Sequence, residues 1–150
     1  MEADVRAAQL TWKRFVLEIG SRYQKDDDYR LFTARGIDSL YAFDTHPVIF
    51  KPTLATNPSF RNSKGSAVSY FIGDDEATHT HQDAFALMPW RDIRFANQYV
   101  HVYDGVILAA GQYYFTHEER GLVSADYTFG YLSVKDTLKI ILHHSSLTVF

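Results

Sequence analysis

Two histidines and two serines in a row near the end of the chain have the side chains best suited to acid–base and hydroxyl chemistry. His143-His144-Ser145-Ser146 close a segment that begins at Leu138 and reads as a β-strand. Successive side chains of a strand point to opposite faces, so the apolar face that starts at Leu138 ends with His144 and Ser146. We therefore expect His144 and Ser146 to point into the interior, and His143 and Ser145 to point outward.

An inward imidazole beside a hydroxyl can move a proton and stabilise an anion, because an imidazole titrates near pH 6.5 and a hydroxyl can donate to a developing negative charge. One interpretation is a polar cluster at the mouth of a cavity. The alternative is a hydrogen-bonded pair that only fixes the end of the strand, because unsatisfied buried polar groups cost about 1–3 kcal/mol. The residues alone leave both open.

A second pair of histidines, His79 and His81, has the spacing of two zinc ligands on one strand, with Asp83 beyond. The surrounding residues 73–83 are polar and acidic without strand periodicity, which predicts a loop and makes a metal site the weaker interpretation. There is no cysteine, which excludes disulfides, thiolate nucleophiles and sulfur-ligated metals. The common glycine-rich phosphate loops and the hydrolase and zinc-protease motifs are also missing from the sequence.

The composition is that of a folded chain. With 150 residues, 46% hydrophobic and 22% charged, we expect a single domain over residues 1–150. The net charge of −3 and the lack of an obvious basic face disfavour a nucleic-acid partner. No run of 18 apolar residues occurs, so we expect no membrane span.

Helical patterns come first and strands follow. An amphipathic helix is predicted over 5–25, then a short helix from Asp26 to Phe32, with breaks at Gly36 and Asp44. The later predictions are an edge strand at 48–51 closed by Pro52, a loop at 54–66, a turn of helix at 67–72 capped by Ser66, and long strands at about 91–102, 105–117, 121–133 and 136–147.

Short turns between the long strands favour antiparallel hairpins. The fold class is therefore α+β, with N-terminal helices packed on a strongly curved antiparallel sheet that leaves a cone-shaped cavity. Tyr127 and Phe129 share one strand face and could form an aromatic wall for an uncharged ligand, although simple sheet packing explains any single ring equally well.

Several sequence blocks resemble those of the metal-free, iota-class carbonic anhydrases of cyanobacteria and algal plastids. The blocks are Val48–Thr53, Phe60-Arg61, Ser69–Phe71, Phe85–Trp90, Tyr127–Tyr131 and Leu142–Ser146. The resemblance implies a nuclear transport factor 2-like cone, a homodimer formed through the sheet face, and reversible CO₂ hydration without a metal or other cofactor. It also implies a compartment, the plastid in an alga or the cytoplasm in a cyanobacterium.

The resemblance assigns the bicarbonate-binding and catalytic roles to Thr53, Tyr70, His144 and Ser146, with His144 as the best candidate for the proton acceptor. The residues expected to line the pocket are Phe85, Asn97, Tyr127 and Phe129. Some algal members of the family carry tandem repeats of this domain, and a chain that stops just past an apolar stretch could be one such repeat.

Two other functions stay open. The chain could be a non-catalytic module that binds a small ligand or only dimerises, because the same fold serves many functions. An isomerase or cyclase is weaker, because it typically needs an Asp/His pair in the pocket, whereas Asp126 is predicted on the strand face opposite Tyr127.

Overall fold

The computed structural model describes residues 2–73 and 84–149, except for the side chains of residues 97 and 98. The elements are α1 (Glu2–Gln24), α2 (Arg30–Leu40), β1 (Ile49–Lys51), α3 (Lys64–Ile72), a short 3₁₀ turn (Phe85–Leu87), β2 (Trp90–Val102), β3 (Ile107–His117), β4 (Gly121–Val134) and β5 (Thr137–Leu147). Of the helices in the described ranges, none is both long and apolar enough to cross a membrane.

The strands form one sheet in the order β1-β5-β4-β3-β2. The four long strands pair with their sequence neighbours as antiparallel hairpins. β1 pairs with β5 in parallel and lies at the edge, where the proline that follows it needs no ladder partner. The predicted α+β class, the four long strands and the edge strand are confirmed, with β1 as one parallel member of the otherwise antiparallel sheet.

α1 lies along the inner face of the sheet through a single apolar stripe. Val5, Trp12, Val16 and Ile19 follow one another at spacings of seven, four and three residues, and none is more than 3% exposed. The Trp12 ring makes edge contacts with the rings of Phe95, Phe115 and Phe129 from three different strands. Burial of each such side chain contributes about 1.5–3 kcal/mol. The helix predicted over 5–25 is confirmed.

α2 is longer than predicted, because Gly36 lies inside the helix and does not break it. A Cβ at Gly36 would lie 2.1 Å from Cε1 of Phe15, so the glycine lets α2 approach the Phe15 ring on α1. Near the helix start, the carboxylate of Asp28 accepts a hydrogen bond from the Leu31 N–H at 3.2 Å. The helix begins four residues after the predicted start at Asp26, and the predicted end at Phe32 is wrong.

α3 begins three residues before the predicted turn of helix. Its N-cap is Ser63, whose hydroxyl accepts from the backbone N–H of Ser66, while the Ser66 hydroxyl accepts from the Ser63 N–H. Ser66 is therefore the second half of a capping box and not the cap itself.

A β-bulge in β5 overturns the predicted orientation of the histidines and serines. Tyr131 of β4 pairs with Ile140 and Gly130 with Leu142, so Ile141 is an extra residue without its own partner. An extra residue reverses the alternation of faces beyond it. Consequently His143 and Ser145 are buried, with 2% and 0% exposure, whereas His144 and Ser146 are exposed on the outer face. The prediction that His144 and Ser146 point inward is wrong.

The bulge has a matching feature on the neighbouring strand. A Cβ added to Gly130 would lie 3.0 Å from the Cβ of Leu142, closer than real Cβ contacts normally come. Glycine at this position therefore allows β4 and β5 to stay in contact where the extra residue crowds the outer face.

Candidate active site

His143 lies at the centre of a buried hydrogen-bond network on the inner face of β5. Its ring packs between Phe129, with centroids 4.1 Å apart, and Phe50, with centroids 4.8 Å apart. Nδ1 is 2.8 Å from the hydroxyl of Tyr41, and Nε2 is 3.2 Å from the hydroxyl of Tyr113. Burial, with a smaller contribution from His144, lowers the pKa of His143 to about 3. The imidazole is therefore neutral at physiological pH, with one nitrogen that donates and one that accepts.

Three hydroxyls continue the network from His143. The Tyr113 hydroxyl donates to Ser145 Oγ at 2.6 Å, and Ser145 Oγ lies 2.5 Å from Thr53 Oγ1. Burial raises the pKa of Tyr113 to about 12 despite its hydrogen bonds to Ser145 and Thr53. Tyr113 is therefore protonated at neutral pH and available as a donor.

Thr53 reaches this network because β1 runs parallel to β5. The pairing of Lys51 with His144 places the end of β1 beside the end of β5, and Thr53 follows two residues later. The Lys51 ammonium donates to the backbone carbonyl of Ser145 at 2.8 Å, which links the two strand ends a second time. Beyond the loop, the backbone N–H of the buried residue Arg61 donates to the Phe50 carbonyl at 2.6 Å.

Tyr70 enters the site from α3. Its side chain is 2% exposed, and its hydroxyl accepts a hydrogen bond from the backbone N–H of Leu54 at 3.3 Å. Its ring stacks on Phe85, with centroids 5.4 Å apart. The loop after β1 and the helix α3 are therefore joined directly behind Thr53.

These side chains surround a small cavity with about 10 Å³ of room for the centre of a water-sized sphere. That is at the lower limit of the space that one water molecule needs. Its wall contains four polar side chains, Thr53, Tyr70, Tyr113 and His143, and six apolar ones, Trp12, Phe50, Pro52, Phe71, Phe85 and Phe115. A mostly apolar wall with a few hydroxyls at one place suits a small, uncharged molecule that becomes an anion.

The structure brings together only part of the set predicted from the sequence. Thr53 and Tyr70 line the cavity, as does Phe85. His144 is on the opposite face of the sheet, where its ring centroid is 6.4 Å from that of Phe60, and Ser146 is on that face too.

Two of the other residues predicted to line the pocket lie behind its wall, and the side chain of the third lies outside the described residues. Phe129 packs on the far side of the His143 ring, and Tyr127 packs against Tyr113 with ring centroids 5.1 Å apart. The backbone of Asn97 pairs with Gly111 in β2 and β3, and its side chain is one of the two left out of the description.

Sequence reasoning missed the hydrogen-bonding roles of Trp12, Tyr41, Tyr113 and Ser145. Tyr41 carries no motif, and its contact with His143 spans 102 residues. A signal for Ser145 was present in Gly130, because a glycine inside a strand pattern is a marker of a bulge in the pairing.

The two histidines of the acidic segment, His79 and His81, lie outside the described residues. Within residues 2–73 and 84–149, no group of three or more His, Asp or Glu side chains is placed to hold a metal ion.

The fold alone is shared with solved structures of low sequence identity. The chain superposes with a TM-score of 0.65 on a putative calcium/calmodulin-dependent protein kinase II association domain from Xanthomonas campestris, at 22% identity over 96% of this chain and 85% of that one. It superposes with a TM-score of 0.58 on an NTF-2-like protein from Shewanella oneidensis, at 12% identity over 97% and 98% of the two chains. The fold and site thus define an NTF2-like α+β protein with a small cavity lined by hydroxyls and an imidazole.

The family follows from more specific matches. A family model described as metal-independent carbonic anhydrase matches residues 3–147. The chain is 33% identical to the metal-independent carbonic anhydrase of Nostoc sp. (strain PCC 7120), over 97% of this chain and 73% of that protein. It superposes with a TM-score of 0.93 and 31% identity on a cyanobacterial iota-carbonic anhydrase complexed with bicarbonate, over 100% and 93% of the two chains. The chain belongs to the metal-independent carbonic anhydrase family.

Proposed function

We propose that this chain catalyses the reversible hydration of CO₂ to bicarbonate at the cavity beside Thr53. The observation that carries the proposal is the hydrogen-bonded series His143, Tyr113, Ser145 and Thr53, which ends at a small and mostly apolar cavity. The bicarbonate complex of the iota-carbonic anhydrase with the same fold supports this substrate.

CO₂ suits the apolar part of the cavity. It is small and uncharged, so it enters a wall of phenylalanine rings without the desolvation cost of an ion. About 10 Å³ of room is too little for the bulky apolar ligand that a non-catalytic binding module would hold in this cavity. The small volume therefore disfavours the alternative ligand.

The reaction joins a water oxygen to the carbon of CO₂ and moves one C–O π pair onto oxygen. Thr53 and Tyr70 have hydroxyls in the cavity wall, and each can donate to the oxygen on which the charge develops. Donors of this kind lower a barrier by a few kcal/mol each when they are held in place before the reaction. Ser145 and Tyr113 act behind Thr53, because their hydrogen bonds orient its hydroxyl.

The attacking water must also lose a proton. His144 cannot take it, because its side chain is exposed on the other face of the sheet. His143 is a poor acceptor at neutral pH, because burial lowers its pKa to about 3. We therefore assign the proton to a second water molecule outside this cavity, next to the partly exposed Thr53, which passes it to solvent.

Thr53→Val tests the oxygen-binding role, because valine has nearly the same shape and lacks the hydroxyl. We expect kcat for CO₂ hydration in stopped-flow assays to fall by about 10–100-fold. The matched control is His144→Ala, which removes the predicted acceptor from the outer face and should leave kcat within about twofold. Full activity of Thr53→Val would overturn the assignment of the site.

The metal-independent part of the proposal has a separate test. Protein that has been exhaustively chelated should hydrate CO₂ as fast as untreated protein. Loss of activity on chelation that is restored by zinc would contradict it.

We further propose a homodimer through the outer face of the sheet. That face carries exposed apolar residues, including Tyr99 at 60% and Leu122 at 63% exposure. Tyr99→Glu should shift the sedimentation coefficient to that of a monomer, whereas Tyr23→Glu on α1 should not. A wild-type protein that sediments as a monomer would refute this interface.

Two broader assignments belong to the same proposal. Residues 1–150 form a single domain, which a single cooperative unfolding transition by two optical probes would support. The compartment is the plastid in an alga or the cytoplasm in a cyanobacterium, and cell fractionation of the source organism tests it.

A further inference from the structure

The hydrogen-bond network has an end that the proposed reaction does not use. At Nδ1, the ring nitrogen of His143 that does not face Tyr113, the Trp12 indole nitrogen lies 3.1 Å from the Tyr41 hydroxyl, which lies 2.8 Å from Nδ1. Trp12 is 3% exposed and Tyr41 is fully buried. Burial raises the pKa of Tyr41 well above its usual value, so its proton stays on the oxygen.

The indole nitrogen of Trp12 determines which atoms donate and which accept at this end of the network. An indole N–H only donates, so the Tyr41 oxygen is the acceptor in its bond with Trp12. Tyr41 has one hydrogen of its own to donate. Among the described residues, the acceptor within hydrogen-bond distance of that hydrogen is Nδ1 of His143.

The opposite arrangement leaves a proton without a partner. If Nδ1 of His143 carried a hydrogen, the Tyr41 oxygen would accept from both Trp12 and His143, and the Tyr41 hydrogen would be buried without an acceptor in the described structure. A buried unsatisfied donor costs about 1–3 kcal/mol. The structure therefore favours the tautomer with its hydrogen on Nε2.

With the hydrogen of His143 on Nε2, each following hydrogen bond of the network is donated in the direction of the cavity. Nε2–H donates to the Tyr113 oxygen, and Tyr113 donates to Ser145. The one hydrogen of Ser145 then goes to Thr53 Oγ1, 2.5 Å away. The Thr53 hydroxyl keeps its own hydrogen. The Tyr113 oxygen is 3.5 Å away, beyond the usual length of such a bond, so an oxygen atom of CO₂ or bicarbonate in the cavity is the better acceptor.

We infer that Trp12 and Tyr41 are positioning residues that hold His143 in the Nε2–H tautomer and so make Thr53 a hydrogen-bond donor to the substrate. The functional half of this inference rests on the proposed carbonic anhydrase reaction, whereas the tautomer does not. With the series reversed, Thr53 would present a lone pair to an anion, which would repel bicarbonate.

The tautomer is measured directly by ¹⁵N–¹H correlation spectra of protein labelled at histidine, in which the protonated and unprotonated ring nitrogens have distinct shifts. We expect His143 to show a protonated Nε2 in the wild-type protein. A protonated Nδ1 would overturn the inference, whatever the enzyme activity. No variant is needed for this step, so a folding defect cannot obscure it.

The role of Trp12 is tested by placing 3-benzothienylalanine at position 12, because its ring sulfur replaces the N–H in a nearly identical shape. We expect a measurable population of the Nδ1–H tautomer and a kcat about tenfold lower, equivalent to ~1.4 kcal/mol. An unchanged tautomer with unchanged kcat would overturn the positioning role.

A matched control and the wild-type assay separate the remaining explanations. Trp90 donates its indole N–H to the Phe85 carbonyl, away from the network, so the same replacement at Trp90 should leave the His143 tautomer unchanged. A tautomer shift at Trp90 would overturn the specificity of the effect. If the wild type shows the Nε2–H tautomer but no CO₂ hydration, the proposed function fails and the proton arrangement stands.

Discussion

Nδ1 of His143 lies 2.8 Å from the hydroxyl of Tyr41, a residue 102 positions earlier in the chain. This contact ties the last strand of the sheet to the segment that leaves α2. Burial keeps the His143 ring neutral by lowering its pKa, and Tyr41 and Tyr113 bond its two nitrogens. Its contribution is therefore the orientation of hydroxyls and not the transfer of a proton at neutral pH.

The two neighbouring serines give a direct test of the strand orientation. Ser145 Oγ joins Tyr113 and Thr53 at 2.6 and 2.5 Å, whereas Ser146 is exposed on the outer face. We expect Ser145→Ala to lower kcat by about 10–100-fold, because the Thr53 hydroxyl loses its orienting donor. Ser146→Ala should leave kcat unchanged in the same stopped-flow assay. The reverse ranking of the two variants would restore the face predicted from simple alternation.

The pKa of His143 predicts how stability depends on pH. The unfolded chain protonates this imidazole below its usual pKa of 6.5, whereas the folded protein does not bind that proton until about pH 3. The unfolded state therefore binds more protons in this window, so the stabilisation is present above pH 6.5 and is lost as the pH falls towards 3.

As the pH falls from 6 to 4, we expect this group to lower the free energy of unfolding by up to ~1.4 kcal/mol per pH unit. Urea titrations at several pH values measure the slope, which should be shallower in His143→Gln than in the wild type. The control is His46→Gln at an exposed position. Equal slopes for His143→Gln and the wild type would contradict the lowered pKa of His143.

The bulge in β5 depends on the glycine opposite it. In Gly130→Ala the new methyl group would lie 3.0 Å from the Leu142 Cβ, so we expect a loss of about 1–3 kcal/mol of stability and a lower kcat, as the strands separate where they orient His143. Gly65→Ala is the matched control, because nothing lies within 4 Å of its added Cβ and alanine favours the helix. Chemical denaturation of both variants decides the matter, and equal stabilities would rule out crowding at the bulge.

Lys51 is predicted to hold the site without touching the substrate. Its ammonium donates to the Ser145 carbonyl at 2.8 Å, and partial burial lowers the pKa of Lys51. We expect Lys51→Met to reduce kcat several-fold while the Tm changes little, and Lys51→Arg to retain more activity because a guanidinium can still donate. If methionine and arginine had the same effect on kcat, the hydrogen bond to Ser145 would not be the reason.

The sequence predicted the parts of the fold that depend on local patterns. Turn residues such as Lys135-Asp136 separate the long strands, and the apolar stripe around Trp12 marks α1, so the α+β class and most element bounds could be read directly. The predicted break at Gly36 is wrong, because a glycine is needed there for α2 to approach the ring of Phe15 on α1.

The site was predictable only in part, because it also depends on contacts between segments that are distant in the chain. Thr53 and Tyr70 were placed by resemblance, whereas the faces of His143 and Ser145 depend on one extra residue, Ile141, in the pairing of two strands. Alternation within a single strand contains no information about a bulge that the partner strand determines. Trp12 and Tyr41 join the network through contacts between distant segments, which no local pattern records.

The parallel pairing of β1 with β5 also determines when the site forms during folding. Trp12, Thr53 and His143 meet only when the last strand has docked between β4 and β1, so each hydrogen bond of the network closes a long loop of chain. A nascent chain that still has β5 inside the ribosome can form α1 and the β2–β4 hairpins but has no site. In refolding experiments, recovered CO₂ hydration would thus report the docking of the final strand and not the earlier collapse of the core.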